Sequence, residues 1–128
     1  MIVMRFTENR KSVFNVIDRA EKPLSVEDIK ARIQKKLDTS TVYRALEFLE
    51  KRGLIASVSF GGNIRFFFRK ERFRHFLFCE RCNGIEVFDK CGAKPLMEAV
   101  KKEYNFRINS HVFYFSGICS NCIEKEGE

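Results

Sequence analysis

Apolar residues in the first part of the chain recur at helical spacing. Thr7 can cap a first helix, in which Val13 and Ile17 fall on one face at 3.6-residue spacing. Pro23 then interrupts the pattern. The run 25–28 (Ser-Val-Glu-Asp) has the form of a capping box that opens a second helix. The pattern therefore predicts two short amphipathic helices on either side of Pro23.

A third helical segment follows, and after it the period of the apolar positions changes. Residues 40–52 carry apolar side chains at helical spacing, and Gly53 ends the segment. Strand-like runs at 54–60 and 64–69 come next, and a Gly-Gly-Asn turn joins them as a hairpin. Three helices and a two-stranded hairpin are typical of a winged helix-turn-helix, in which the third helix enters the major groove of DNA.

The rest of the chain has the pattern of a small sheet with one helix. Its predicted segments are strands at 74–78, 85–88 and 107–116 and a helix at 95–104. Such a unit buries little apolar surface by itself. Strands rich in phenylalanine therefore favour pairing with a second copy of the chain, although some of these rings must fill the unit's own core. We predict an α+β protein with a winged helix-turn-helix in 1–72 and an α/β homodimerisation domain in 73–128.

The charge of the chain is divided unequally between these two parts. The net charge is +7 over 128 residues. Residues 1–72 hold sixteen Lys or Arg against nine Asp or Glu, whereas 73–128 hold eight of each. All of the excess positive charge thus lies in the first part, which indicates a polyanionic partner such as double-stranded DNA.

Candidate DNA-binding side chains cluster at the start of the third helix. They are Thr39, Ser40, Thr41, Tyr43 and Arg44, joined by Arg65 on the predicted wing. Hydroxyls can contact phosphates or base edges, a Tyr ring can lie against a thymine methyl group, and Arg can bind guanine or phosphate. The alternative is that the Ser and Thr residues only cap the helix and Tyr43 packs on a neighbour. DNA contact is favoured for Tyr43 and Arg44 together, whereas for Thr39 helix capping stays an open alternative.

Two Cys-x-x-Cys pairs mark a candidate metal site. They are Cys79 with Cys82 and Cys119 with Cys122, separated by the thirty-six residues 83–118. Four thiolates complete a tetrahedral shell with no open position, which is typical of a structural zinc ion. Iron also binds such a sulfur set. Two disulfides are the other alternative.

The predicted location of the protein argues against disulfides. The charged N-terminal run is unlike a signal peptide, and no apolar run approaches the length of a membrane span. We therefore expect a soluble, cytoplasmic protein without a membrane partner, in which disulfides do not persist.

No nucleophile–base set, phosphate-binding loop or carboxylate pair indicates an enzyme or a small-molecule substrate.

Three motifs together resemble the ferric uptake regulator family. They are the run 41–46 with Leu49 and 53–55, the run 5–7 with Arg10, and the two cysteine pairs. The resemblance covers residues 5–122. It implies a homodimeric DNA-binding transcription regulator, usually a repressor that responds to a metal ion or to peroxide. It also implies that Tyr43 and Arg44 contact the major groove, that Arg5 reaches the minor groove, and that the cysteines hold the structural zinc ion.

The chain departs from this family where the regulatory metal is bound. The resemblance implies histidine and carboxylate ligands at positions that here hold Pro23, Phe67, Arg74, Phe76 and Lys94. His111 occupies an expected ligand position, whereas His75 is one residue out of phase, which turns a strand residue to the other face. We expect the sensing site to be missing or rebuilt, and DNA binding to need no added iron, manganese or second zinc ion.

Cys91 is the fifth thiol and lacks a sequence partner, so we expect an inert residue, with redox sensing as the alternative. The alternative to a DNA-binding regulator is a zinc-ribbon interaction module whose basic first half binds RNA or a protein. Tyr43 and Arg44 near the start of a helix favour the regulator.

Overall fold

The computed structural model describes residues 7–70, 72–73, 75–109 and 111–126. Arg5 and Arg74, both named in the sequence predictions, lie outside these residues. The chain divides into two compact units, Met1–Phe73 and Arg74–Glu128. The first unit is mainly helical, and the second is built on a three-stranded sheet.

Three capped helices begin the first unit. They are α1 (Glu8–Arg19), α2 (Val26–Arg32) and α3 (Thr39–Lys51). The Thr7 side chain accepts a hydrogen bond from the Arg10 backbone N–H, and Ser25 with Asp28 forms the predicted capping box. Helix α2 is short and ends at Arg32, because Ile33 already has an extended backbone.

A two-stranded hairpin follows α3 and forms the wing. Strands β1 (Ile55–Val58) and β2 (Phe66–Arg69) pair antiparallel and are shorter than predicted, because the connection between them spans 59–65. Gly61 in this connection has φ +84°, a conformation that favours glycine. Backbone hydrogen bonds of 2.9 and 2.7 Å join Leu24 to Phe67, which fastens β2 to the segment before α2.

The core of the first unit lies between the helices and the wing. Its most deeply buried members include Val13, Ile17, Leu24, Ile29, Val42, Leu46, Leu49 and Phe67. Helix α3 contributes Val42, Ala45, Leu46 and Leu49 to this core at helical spacing, which leaves its opposite face exposed. The core therefore fixes which side of α3 is available to a partner.

The second unit is a sheet with strand order β4-β3-β5. Its strands are β3 (His75–Cys79), β4 (Ile85–Val87) and β5 (Phe113–Gly117). Helix α4 (Ala93–Tyr104) connects β4 to β5, which pairs parallel to β3. Strand β5 is shorter than the predicted strand 107–116. A short helix α5 (Ser120–Glu126), which the sequence pattern did not predict, ends the described chain.

The helices of the described residues are too short and too polar to cross a bilayer, and none is a candidate membrane span.

Candidate nucleic-acid interface and metal centres

The N-terminus of α3 presents a compact polar surface. Asp38 caps the helix by accepting a hydrogen bond of 2.9 Å from the Thr41 backbone N–H, and the Ser40 hydroxyl donates to the same carboxylate over 3.2 Å. Hydrogen bonds from the Thr41 side chain and backbone lower the pKa of Asp38. Asp38 rather than Thr39 or Ser40 is thus the cap, so the alternative that these hydroxyls serve as caps is wrong.

The predicted DNA-contacting side chains on α3 differ in their exposure and in their hydrogen bonds within the protein. Tyr43 is 51% exposed and Arg44 is also exposed, so both project from the face opposite the core. Thr41 is half-buried. The Thr39 hydroxyl accepts a hydrogen bond of 2.8 Å from Lys30 Nζ, which brings a basic residue of α2 to the same surface. Lys30 was not among the predicted contacts, because only the fold brings α2 beside the start of α3.

Arg65 lies just before β2 and is bound within the protein. Its guanidinium contacts the Glu50 carboxylate at 2.7 Å and the Ser57 hydroxyl at 2.9 Å, and it stacks over the Phe67 ring. The wing position was predicted, but the ion pair was not. Glu50 is fifteen residues away in sequence, and the pairing depends on how the wing folds back on α3. Any phosphate must therefore compete with Glu50 for this guanidinium.

The four cysteines of the two pairs converge at one end of the sheet in the second unit. Cys79 ends β3, and Cys122 lies in α5. Their Sγ atoms are 3.8 Å apart, as are those of Cys82 and Cys119, and all four lie within 4.8 Å of one another. Zn–S bonds of about 2.3 Å give a tetrahedral edge of roughly 3.8 Å. The spacing matches a tetrahedral metal site and is too long for disulfide bonds.

Local backbone geometry holds this cluster in place. Asn83 has φ +62°, which turns the chain sharply after Cys82. Gly84 follows, where an added Cβ would lie 3.2 Å from Cys82 Sγ, so a larger residue would crowd the sulfur. Arg81 forms an ion pair of 2.7 Å with Glu126, which ties the first cysteine pair to the end of α5.

The thiols of the cluster differ in how readily they ionise. Backbone N–H groups of Cys119 and Cys82 donate to Cys79 Sγ over 3.4 and 3.5 Å, and these hydrogen bonds lower the pKa of Cys79 to about 6. The hydrogen bond with the Cys119 side chain, followed by burial, raises the pKa of Cys122 to about 12. Without a cation, Cys79 therefore ionises readily and Cys122 does not. A bound cation allows all four sulfurs to be thiolates.

A second group of possible ligands lies elsewhere in the same unit. His75 Nε2 is 3.3 Å from His111 Nε2, and Cys91 Sγ is 3.4 Å from His111 Nε2. The sequence pattern placed His75 one residue out of phase with the implied ligand positions and showed no partner for Cys91, whereas the fold brings both side chains together with His111. This trio and the four cysteines are the two groups of three or more potential ligands found within the described part of the chain.

At the other positions where the family resemblance implied metal ligands, this chain has side chains of a different kind. Phe67 is buried in the core of the first unit, Phe76 is fully buried in the second, and Lys94 is exposed on α4. Pro23 is also buried. None of these side chains offers a ligand atom for a divalent cation at neutral pH.

Comparison with known proteins agrees with this architecture. The chain matches the ferric uptake regulator family model over residues 2–116. It is 30% identical over 132 aligned residues to the ferric uptake regulation protein of Bacillus subtilis (strain 168), a match that covers 97% of this chain and 89% of that protein.

Solved structures give the same result. The ferric uptake regulator of Helicobacter pylori, described as having three functional metal binding sites, is 26% identical, with a TM-score of 0.78. That match covers 93% of this chain and 82% of the other. A zinc-bound manganese uptake regulator is 25% identical, with a TM-score of 0.68 and 91% of each chain covered.

A winged helix-turn-helix together with a sheet that carries a four-cysteine cluster able to hold a metal ion is typical of DNA-binding metalloregulators. The chain belongs to the ferric uptake regulator family, whose members are DNA-binding regulators and not enzymes.

Proposed function

We propose that the protein is a homodimeric, sequence-specific DNA-binding regulator, and specifically a repressor, that acts on a double-stranded operator in the cytoplasm. The observation that carries this proposal is the exposed face of α3, on which Tyr43 and Arg44 project away from the core. A repressor of this kind acts by occupying DNA, so its essential part is the surface that recognises the operator.

The DNA-binding role is assigned to residues 1–72. In this proposal α3 enters the major groove, where Tyr43 and Arg44 read base edges while Thr39, Ser40 and Thr41 contact phosphates or bases. Arg65 contacts a phosphate from the wing when DNA displaces Glu50. Arg5 is proposed for the minor groove from the family resemblance alone. The concentration of net positive charge in 1–72 supports this assignment.

The metal-binding role is assigned to Cys79, Cys82, Cys119 and Cys122, which hold one structural zinc ion per chain. Sulfur separations of 3.8 Å fit the tetrahedral geometry of zinc with four thiolates. Such a shell has no open position, so the ion cross-links the end of β3 to α5 and takes no part in chemistry. In a small unit with few buried apolar residues, this cross-link supplies much of the stability.

Dimerisation is assigned to residues 73–128. Strand β5 lies at an edge of its sheet, where Phe115 is 61% exposed, and Phe106 in the preceding loop is 62% exposed. Large exposed aromatic side chains beside an open strand edge favour burial against another chain. A second copy is the simplest partner, because a two-fold dimer presents two α3 helices to two operator half-sites.

Selection from a random duplex library tests the proposal. We expect the purified protein to enrich a duplex with two-fold symmetric half-sites about one helical turn or a multiple of it apart. The same protein is offered structured RNA at the same salt concentration. Equal or tighter binding to RNA, or the absence of an enriched duplex, would contradict the proposal and favour an interaction module instead.

A further inference from the structure

We propose that His75, Cys91 and His111 form a second metal site, which takes a borderline-soft divalent cation such as Zn²⁺. The site is separate from the four-cysteine centre, because it shares no ligand with it. It uses one residue that the family resemblance implied and two that it did not. The proposal concerns metal binding alone and does not depend on the DNA-binding role.

The fold brings together three residues that are far apart in sequence. His75 is the first residue of β3, and Cys91 lies between β4 and α4. Parallel pairing of β3 with β5 places Phe113 opposite His75, so His111, two residues before Phe113, comes beside it. Each ligand thus comes from a different segment, with two of them anchored by the sheet.

The distances fit a metal-binding set. With Zn–N bonds of about 2.0 Å and a Zn–S bond of about 2.3 Å, tetrahedral edges are roughly 3.3 Å between nitrogens and 3.5 Å between nitrogen and sulfur. The observed separations are 3.3 Å for His75 Nε2 to His111 Nε2 and 3.4 Å for Cys91 Sγ to His111 Nε2. All three potential ligand atoms lie within 4.8 Å of one another.

Aromatic packing holds the imidazole rings in position. The His75 ring lies 4.6 Å from Phe113 and 5.3 Å from Phe88, between centroids, and the side chain is buried. The His111 ring stacks on Phe113 at 5.9 Å with an interplanar angle of 24°. A preorganised pair of imidazoles reduces the entropy lost when a cation binds.

The chemistry of the donors selects the cation. Two imidazoles and one thiolate suit zinc and similar ions, whereas manganese and magnesium prefer carboxylate and water oxygens. No Asp or Glu belongs to this group among the described residues. The site is therefore expected to discriminate against Mn²⁺ and Mg²⁺ and to bind Fe²⁺ more weakly than Zn²⁺, in keeping with the general order of affinity for divalent metals.

The two metal sites should also differ in how tightly they hold their ions. Zinc with four thiolates carries a net charge of −2, and zinc with one thiolate and two neutral imidazoles carries +1. Cys91 is exposed, so the site has an entry path and a fourth position open to water or another donor. We infer an exchangeable zinc ion here, in contrast to the closed four-cysteine shell.

Cobalt substitution tests the site. Protein that retains its tightly held zinc ion is titrated with Co²⁺, whose bound state shows both thiolate charge-transfer and tetrahedral ligand-field absorption. We expect one further Co²⁺ per chain, which Zn²⁺ displaces and Mn²⁺ does not. His111→Ala should weaken this binding by at least about 100-fold, more than loss of an outer-shell partner does. Cys91→Ser should abolish the charge-transfer band.

Matched controls separate this site from other effects. Lys94→Ala, close to Cys91 in sequence but outside the trio, should bind the second cobalt ion as the unchanged protein does. All variants should keep the tightly held zinc ion, which shows that the unit is folded. The absence of a second cobalt ion in the unchanged protein, or an undiminished charge-transfer band in Cys91→Ser, would overturn the proposal.

Discussion

The guanidinium of Arg65 lies 2.7 Å from the carboxylate of Glu50 and so joins the wing to the last turns of α3. Both side chains are partly exposed, and the pair lies in the part of the protein that is proposed to face DNA. An ion pair at such a position contributes only about 0–1 kcal/mol to the free energy of unfolding. Its larger effect is electrostatic, because Glu50 competes with phosphate for Arg65.

The first prediction concerns this competition. Glu50→Gln should strengthen binding to all duplexes because it frees Arg65 and removes a negative charge. Arg65→Ala should weaken binding to all sequences alike and lower the dependence of log affinity on log salt by roughly one unit. Duplex affinities over a salt series measure both effects. An unchanged salt slope in Arg65→Ala would show that Arg65 contacts no phosphate and has only a structural role.

The second prediction concerns the four-cysteine centre. Cys79→Ser leaves an incomplete thiolate shell, and structural zinc contributes on the order of 10 kcal/mol to small domains. We expect this variant to lose its tightly held zinc ion and to dissociate into monomers, as measured by metal content and sedimentation. Cys91→Ser is the matched control and should retain both. Full zinc content in Cys79→Ser would refute the assignment.

The third prediction concerns pH. In the metal-free protein the pKa of Cys79 is lowered to about 6, so at pH 7 its sulfur is already ionised and zinc displaces no proton from it. When the pH falls below this pKa, the Cys79 sulfur is protonated, and zinc must displace one additional proton. The fall of log zinc affinity with decreasing pH should therefore steepen by about one unit below pH 6. Chelator competition over this range measures it, and a constant slope would contradict it.

The fourth prediction concerns the regulatory metal. Added Fe²⁺ or Mn²⁺ should leave operator affinity unchanged, because Phe67, Phe76 and Lys94 occupy positions where the family resemblance implied ligands. A cation shifts an equilibrium only through its differential affinity for the two states. The measurement is operator affinity during titration with each metal, on protein that retains its tightly held zinc ion.

A gain of about tenfold or more that disappears in His111→Ala would show that iron or manganese does act through a site at His111. Zinc is the exception to this prediction, because the His75–Cys91–His111 group is proposed to bind it. The expectation that DNA binding needs no second zinc ion stays a prediction, which titration with Zn²⁺ tests.

Local signals in the sequence were sufficient to predict most of the fold. Thr7 and Ser25 cap the first two helices through side-chain contacts within three residues, so these caps are visible in the sequence itself. The two cysteine pairs are equally local. The spacing within each pair predicts that one turn supplies two ligands. Two such pairs supply the four cysteine ligands of one ion.

Contacts between distant residues could not be predicted in this way. The parallel pairing of β3 with β5 decides where His111 lies, and no property of the segment 107–116 specifies that register. Helix α5 is too short to be stable alone. It is held by Cys122 in the metal cluster and by the ion pair of Arg81 with Glu126, which the helical pattern does not reveal.

Recognition of base sequence by Tyr43 is the central claim, and one comparison tests it most directly. The affinities of the unchanged protein and of Tyr43→Ala are measured for the selected duplex and for random duplex at one salt concentration. We predict that Tyr43→Ala loses about 1–3 kcal/mol on the selected duplex and little on random DNA. Equal losses on both would show that the Tyr43 ring contacts only the DNA backbone, which would contradict the proposed recognition by α3.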